Sequence, residues 1–198
     1  MMMTLRRVMP LAAVLALGGC AGASKSAPSA EVHAPPAASV IQSHEGGFSV
    51  AFPAPPAEER RTQSTEVGEV TLHTFIASRP DADSAYYVSY TDFPPGAVSQ
   101  ADPRDVVSRA SHGALEALGA QDISAHPLTM EGGFPGQEVG GRAGARRLRG
   151  RFFMVGTRLY QQLLLHPEGR PPSDADSFFE SFKLDPRVAA ELSRNRGS

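Results

Sequence analysis

Between Arg142 and Arg151 the chain places five arginines in ten residues: Arg142, Arg146, Arg147, Arg149 and Arg151. Guanidinium groups bind carboxylates and phosphates through paired hydrogen bonds, so such a cluster suits an anion or an acidic partner. On a strand, residues two apart share a face, and Arg147, Arg149 and Arg151 then form one cationic row. The same row also serves as a solvated sheet face or a charged edge that resists strand pairing. No aromatic residue interleaves on that face before Phe153, which argues against a base-stacking surface for nucleic acid. Other chemistry is sparse. The histidines (His33, His44, His73, His112, His126 and His166) form no paired helical site and no His-Glu-x-x-His motif. Asp81 and Asp83 lie in Arg79-Pro80-Asp81-Ala82-Asp83, a turn without the other ligands of a calcium loop. The glycines between 132 and 144 match neither Gly-x-Gly-x-x-Gly nor a Walker lysine, and no Gly-x-Ser-x-Gly elbow occurs. Tyr86 and Tyr90 share a strand face, opposite Tyr87, and suit either a groove lining or a core. No cofactor and no metal are expected.

The only cysteine, Cys20, ends Leu17-Gly18-Gly19-Cys20, behind the basic Arg6-Arg7 and an apolar run over 8–17. That run is about half the roughly twenty residues a spanning helix needs, and the small residues before the cysteine suit a signal peptidase. These residues resemble the signal peptide and lipobox of bacterial lipoproteins. The resemblance implies loss of residues 1–19 and acyl chains on the sulfur and amine of Cys20. Two or more chains give stable anchoring where one gives only marginal binding. Ala21, not aspartate, follows the cysteine, which by that family's sorting rule implies an outer membrane and its periplasmic face. A lipidated Cys20 leaves no thiol for a disulfide, for thiolate catalysis or for a cysteine metal site.

The formal charge is −2 over 198 residues, and loss of Arg6 and Arg7 makes the remainder more acidic. That balance argues against a general nucleic-acid binder. Residues 20–45 are rich in Ala, Ser and Pro and read as a tether with an end-to-end distance of about 25–30 Å. Val40-Ile41 interrupts it and is placed to begin docking on the domain.

Ordered structure is expected from Gly46. Phe48, Val50 and Phe52 alternate as a strand that Pro53 stops. Residues 58–66 are polar and read as a connection. Strands are expected over 69–78 and 85–93, and with the first they form an antiparallel meander. Asp102 is an N-cap, Pro103 opens a helix and Gly119 ends it. Strands follow over 123–130, 137–144, 147–155 and 158–166, the last two paired about Gly156. Apolar side chains on both faces of 158–166 place it centrally, covered on each side. Ser173 is read as the cap of a short helix carrying Phe178, Phe179 and Phe182. Residues 186–198 read as a polar tail.

The segments Phe48-Ser49-Val50-Ala51-Phe52-Pro53, Phe134-Pro135-Gly136-Gln137-Glu138, Arg158-Leu159-Tyr160-Gln161 and Phe178-Phe179-Glu180-Ser181-Phe182-Lys183-Leu184, in this order, resemble the PsbP-like domains of bacterial envelope proteins. The resemblance covers residues 46–185. It implies an α+β domain, an antiparallel sheet flanked by helices in a Mog/PsbP-type α/β/α sandwich, and fixes no function. The expected function is a membrane-anchored, non-enzymatic module that binds or scaffolds a partner protein of the envelope, with Arg147, Arg149 and Arg151 as its candidate contact. A small-ligand carrier or sensor with a pocket between sheet and helix is the first alternative, and a hydrolase the second.

Overall fold

The computed structural model describes residues 38–65 and 68–195. Cys20 and most of the expected tether lie outside them. Fourteen elements follow in chain order: β1 (Ser39–Ser43), β2 (Phe48–Phe52), β3 (Ala57–Thr65), β4 (Gly68–Arg79), β5 (Ser84–Asp92), α1 (Pro95–Val98), α2 (Pro103–Ala117), β6 (Gln121–Met130), β7 (Phe134–Ala143), β8 (Arg146–Val155), β9 (Arg158–Pro167), α3 (Ala175–Glu180), β10 (Lys183–Leu184) and α4 (Pro186–Asn195). A short 3-10 turn, Pro80–Ala82, joins β4 to β5.

The large sheet has seven antiparallel strands in the order β3-β4-β5-β9-β8-β7-β6. β9 is its middle strand, which explains its apolar residues on both faces. On one face Phe152 and Met154 of β8 and Leu159 of β9 meet Val106, Val107 and Leu115 of α2. The small side chains along α2 let the helix lie close on β7 and β8. Asp102 caps α2 by accepting from the Arg104 amide at 2.8 Å. On the opposite face Phe153, Val155, Tyr160 and Leu164 meet Phe48, Val50 and Phe52 of β2, Phe178 and Phe179 of α3, and Leu192 of α4. This second cover holds a three-stranded sheet, β1-β2-β10, beside the two helices. The fold is thus α+β, an antiparallel sheet with helices on both faces.

Five local expectations are corrected. The chain is already a strand at Ser39, because Val40 and Ile41 sit opposite Ala51 and Val50 in the β1–β2 ladder. The polar residues of β3 are an edge strand, paired along its whole length with β4. Exposure on both faces removes the apolar alternation that marks a strand, and charge suits an open edge. The meander is therefore β3-β4-β5, and β2 belongs to the small sheet. Asp174, not Ser173, stands at the N-cap of α3. Finally, residues 186–195 form a docked helix. Asp185 accepts from the Arg187 amide at 2.8 Å, and Val188, Ala189 and Leu192 pack on the core.

One polar cluster ties the two sheets together. Arg158 is buried and donates to both Asp92 carboxylate oxygens at 2.7 Å. Its Nη1 also donates to the Glu45 and Gly46 carbonyls at 2.8 and 2.9 Å, and the Tyr160 hydroxyl donates to the Gly46 carbonyl at 2.7 Å. The β1–β2 turn is thereby held against the large sheet.

Candidate ligand-binding site

A groove of about 560 Å3 opens between the β6–β7 turn and the C-terminal segment. Met130 and Phe134 form one wall, Phe182 and Leu184 the floor, and Ala189, Ala190 and Ser193 of α4 the other wall. Glu131 and Lys183 are its charged residues. The turn shapes the first wall. Gly132 has φ +90, and a Cβ there would come within 2.7 Å of the Phe134 ring; only glycine allows both the backbone and the ring position. The volume and the lining, mostly apolar with few polar groups, match those of small-molecule sites.

A smaller, shallow depression of about 160 Å3 adjoins it, and Met130 and Phe182 line both. Its apolar residues include Leu128, Phe153 and Phe179, and its polar ones Arg151, Gln162 and Glu180. Gln162, Arg151 and Glu138 stand in one row across β9, β8 and β7. Gln162 is 1% exposed. Its Nε2 donates to the Phe178 carbonyl at 3.3 Å, while its Oε1 has no hydrogen-bond partner among the described residues. An unpaired buried acceptor costs about 1–3 kcal/mol.

The arginine row is not a free cationic face. Arg151 Nε donates to Glu138 Oε2 at 2.7 Å, Arg149 Nε lies 3.5 Å from Glu138 Oε1, and Arg149 Nη1 donates to Asp176 Oδ1 at 2.6 Å. Both guanidinium groups also lie over the Phe179 ring, at 4.6 and 5.2 Å. Burial alone would push the Glu138 carboxyl up, but the Arg151 hydrogen bond and the two arginine charges hold it below its ordinary value. Only Arg147 of the three is fully exposed. The row therefore pins α3 to the sheet and pairs its inner charges, and Arg147 is its exposed member.

The other sequence candidates are placed as follows. Tyr86 and Tyr90 are core residues, not a groove lining: the Tyr86 hydroxyl donates to Asp174, and Tyr90 stacks on His73 and under Arg158. Burial pushes the Tyr90 hydroxyl up to about 12. Asp81 pairs with Arg79, and Asp83 with Arg146, so the turn is held by ion pairs. His73 lies 3.8 Å from Glu45, His112 pairs with Glu116, and His166 contacts the Pro167 carbonyl. Among the described residues no group of three or more His, Cys, Asp or Glu side chains could hold a metal ion, and no helix is long and apolar enough to cross a membrane.

Sequence reasoning missed the groove because α4 builds one wall of it. It also passed over Gln162. The signal was available: Tyr160 and Leu164 flank Gln162 on the same face of a strand that is apolar on both sides.

The chain matches no protein-family model, and no curated protein matches it. Among solved structures it is similar to a Pseudomonas aeruginosa protein of unknown function, at 12% identity and TM-score 0.35 over 72% of this chain and 92% of that one. It is also similar to cyanobacterial PsbP (CyanoP) from Synechocystis sp. PCC 6803, at 14% identity and TM-score 0.51 over 80% of this chain and 98% of that one. With the sheet order and the two helical covers described above, the chain has the PsbP-like fold.

Proposed function

We propose that this chain is a lipid-anchored, non-enzymatic protein of the bacterial envelope whose PsbP-like domain holds a small ligand in the groove between the β6–β7 turn and α4. The observation that carries the reading is the groove itself: about 560 Å3, lined by Met130, Phe134, Phe182, Leu184 and Ala189. Apolar surface left open costs free energy that an apolar occupant recovers. The lipobox at Cys20 supports the anchor, with the outer membrane and its periplasmic face as the expected site. In this reading the protein is a carrier or sensor.

The test is chemical. Small molecules extracted from the chain purified out of its own envelopes are compared with those from the Ala190→Trp variant, which fills the groove from an exposed helix position. A species present with the wild type and depleted in the variant supports the reading. Identical extracts overturn it. For the anchor, Cys20→Ser is expected to abolish acyl labelling and to leave the precursor unprocessed; a variant still carrying covalent lipid contradicts it.

One observation favours the partner-protein reading. Ile76, Tyr87 and Leu163 form a half-buried row across β4, β5 and β9, while α2 lies on β7 and β8. If a protein docks there, Tyr87→Lys abolishes its capture and leaves the groove extract unchanged.

A further inference from the structure

We infer that the ligand of the groove is a short extended peptide that adds as a strand to the open edge of β10, with one apolar side chain in the groove and polar neighbours facing solvent. The inference rests on the groove being a binding site and names the chemical class of what it binds.

The register sets the edge. β10 ends the small sheet and pairs only with β2. Lys183 stands opposite Ser49 and Leu184 opposite Phe48, and the Asp185 amide donates to the Gly47 carbonyl at 2.8 Å. Antiparallel ladders alternate bonded and non-bonded pairs. Lys183 and Asp185 therefore turn their N–H groups toward β2, and Leu184 turns its N–H and C=O the other way. Among the described residues, neither Leu184 group is bonded outside the β10–β2 ladder.

That edge faces the groove. Phe182, Lys183 and Leu184 all line it. Successive residues of an extended chain point to opposite faces, so a cavity touching all three lies along the edge. A hydrocarbon laid there would cover the Leu184 amide and carbonyl without pairing them, which is unfavourable. A peptide residue opposite Leu184 exchanges both hydrogen bonds with it, the main-chain pairing by which extended peptides join sheets. The outer edges of the large sheet are guarded against such pairing. β3 carries Glu58, Glu59, Arg60 and Arg61, and β6 carries Pro127 and a bulge between Gln121 and Ser124. β10 has neither a charge run nor a bulge.

The side-chain pattern of the ligand follows. Phe182 is buried and Leu184 half-buried, whereas Lys183 and Asp185 are exposed. A residue directly across from Leu184 puts its side chain on the Leu184 face, the face that packs on the core with Met130 and Phe134. Its two neighbours fall on the Lys183 face and are solvated.

The experiment titrates the full-length chain in phosphatidylcholine nanodiscs into fluorescein-labelled, C-terminally amidated pentapeptides, serine–serine–X–serine–serine, with X leucine, methionine, phenylalanine or valine. Empty nanodiscs give the baseline. At least one member should raise the anisotropy through one saturable site, and Ala190→Trp should abolish the rise. For that member, N-methylation of X removes the donor to the Leu184 carbonyl and should weaken binding about tenfold, as for one lost hydrogen bond. N-methylation of either adjoining serine, whose amide points away from β10, should change binding by less than about twofold. Amide exchange resolved to single residues should show Leu184 protected only when the peptide is bound, and Lys183 and Asp185 protected with or without it. Groove binding with equal losses on all three methylations, or with the Leu184 amide left unprotected, overturns the strand pairing and leaves the groove reading standing. Binding that survives in Ala190→Trp, or no saturable binding by any member, overturns the peptide assignment, and the envelope extracts then judge the groove on their own.

Discussion

Gly156→Ala probes how α4, and with it the groove, is held in place. Gly156 turns the β8–β9 hairpin at φ +59, and a Cβ there would lie 1.9 Å from the Leu192 carbonyl oxygen of α4. Two costs follow. A left-handed alanine costs about 1–2 kcal/mol. The contact is with backbone, so no side-chain rotation relieves it, and the last turn of α4 must retreat by more than an ångström. Leu192 is 8% exposed in the packed helix, and exposing a leucine side chain forfeits about 1.5–3 kcal/mol. A stiffer unfolded chain returns about 0.4–1 kcal/mol. The expected net loss is about 2–4 kcal/mol, about 4–16 °C in melting temperature for a domain of this size. Urea unfolding followed by far-ultraviolet circular dichroism measures it. Deleting residues 186–198 in both backgrounds separates the two costs, because without α4 only the backbone strain of about 1–2 kcal/mol remains. A Gly156→Ala loss below about 0.5 kcal/mol, or a loss unchanged by the deletion, refutes the packing argument.

Arg158→Leu removes the guanidinium that joins Asp92, Glu45 and Gly46, and should destabilise the domain by about 2–4 kcal/mol in urea unfolding; a neutral result would mean that the sheet junction does not rest on this residue. Glu138 titrates below its ordinary value of 4.5 in the folded domain, so its contribution is present above that value and fades as pH falls through the lower, folded value. Urea midpoints should therefore drop between pH 6 and pH 3 in the wild type and less steeply in Glu138→Gln; parallel slopes would remove Glu138 from the network. Arg147→Gln should leave the midpoint within about 0.5 kcal/mol, as for an exposed side chain away from special features, whereas Arg149→Gln and Arg151→Gln should each lower it further.

The strands with alternating or two-sided apolar residues were legible in the sequence. Phe48, Val50 and Phe52 announce β2, and the 158–166 run announces a central strand, because burial acts directly on residue type. The strand β3 was not legible: Glu58, Glu59, Arg60 and Arg61 carry no period, and pairing with β4 alone makes them a strand. Likewise no local signal divided β2 from the large sheet, since partner choice is a tertiary property. The helix α4 could have been read. Asp185-Pro186 repeats the Asp102-Pro103 start that identifies α2, and Val188, Ala189 and Leu192 share one helical face; the surrounding arginines and the chain's polar end hid it. The site followed from that miss. The arginine row was visible as charge, but its pairing with Glu138 arises only when β7 pairs with β8, and its pairing with Asp176 only when α3 folds back onto β8. Gln162 illustrates the same limit, for only the packed structure shows one amide atom bonded and the other not.

The central claim is that the groove beside α4 holds a small apolar ligand, and a saturation titration tests it most directly. The wild-type chain contains no tryptophan, and exciting N-phenyl-1-naphthylamine above the indole absorption band keeps its fluorescence free of indole signal in the tryptophan variant as well. The wild-type protein should enhance that fluorescence through one saturable site, and Ala190→Trp, with circular dichroism and melting temperature unchanged, should abolish the enhancement. Saturable enhancement that survives unchanged in Ala190→Trp, or no saturable enhancement at all, contradicts the claim.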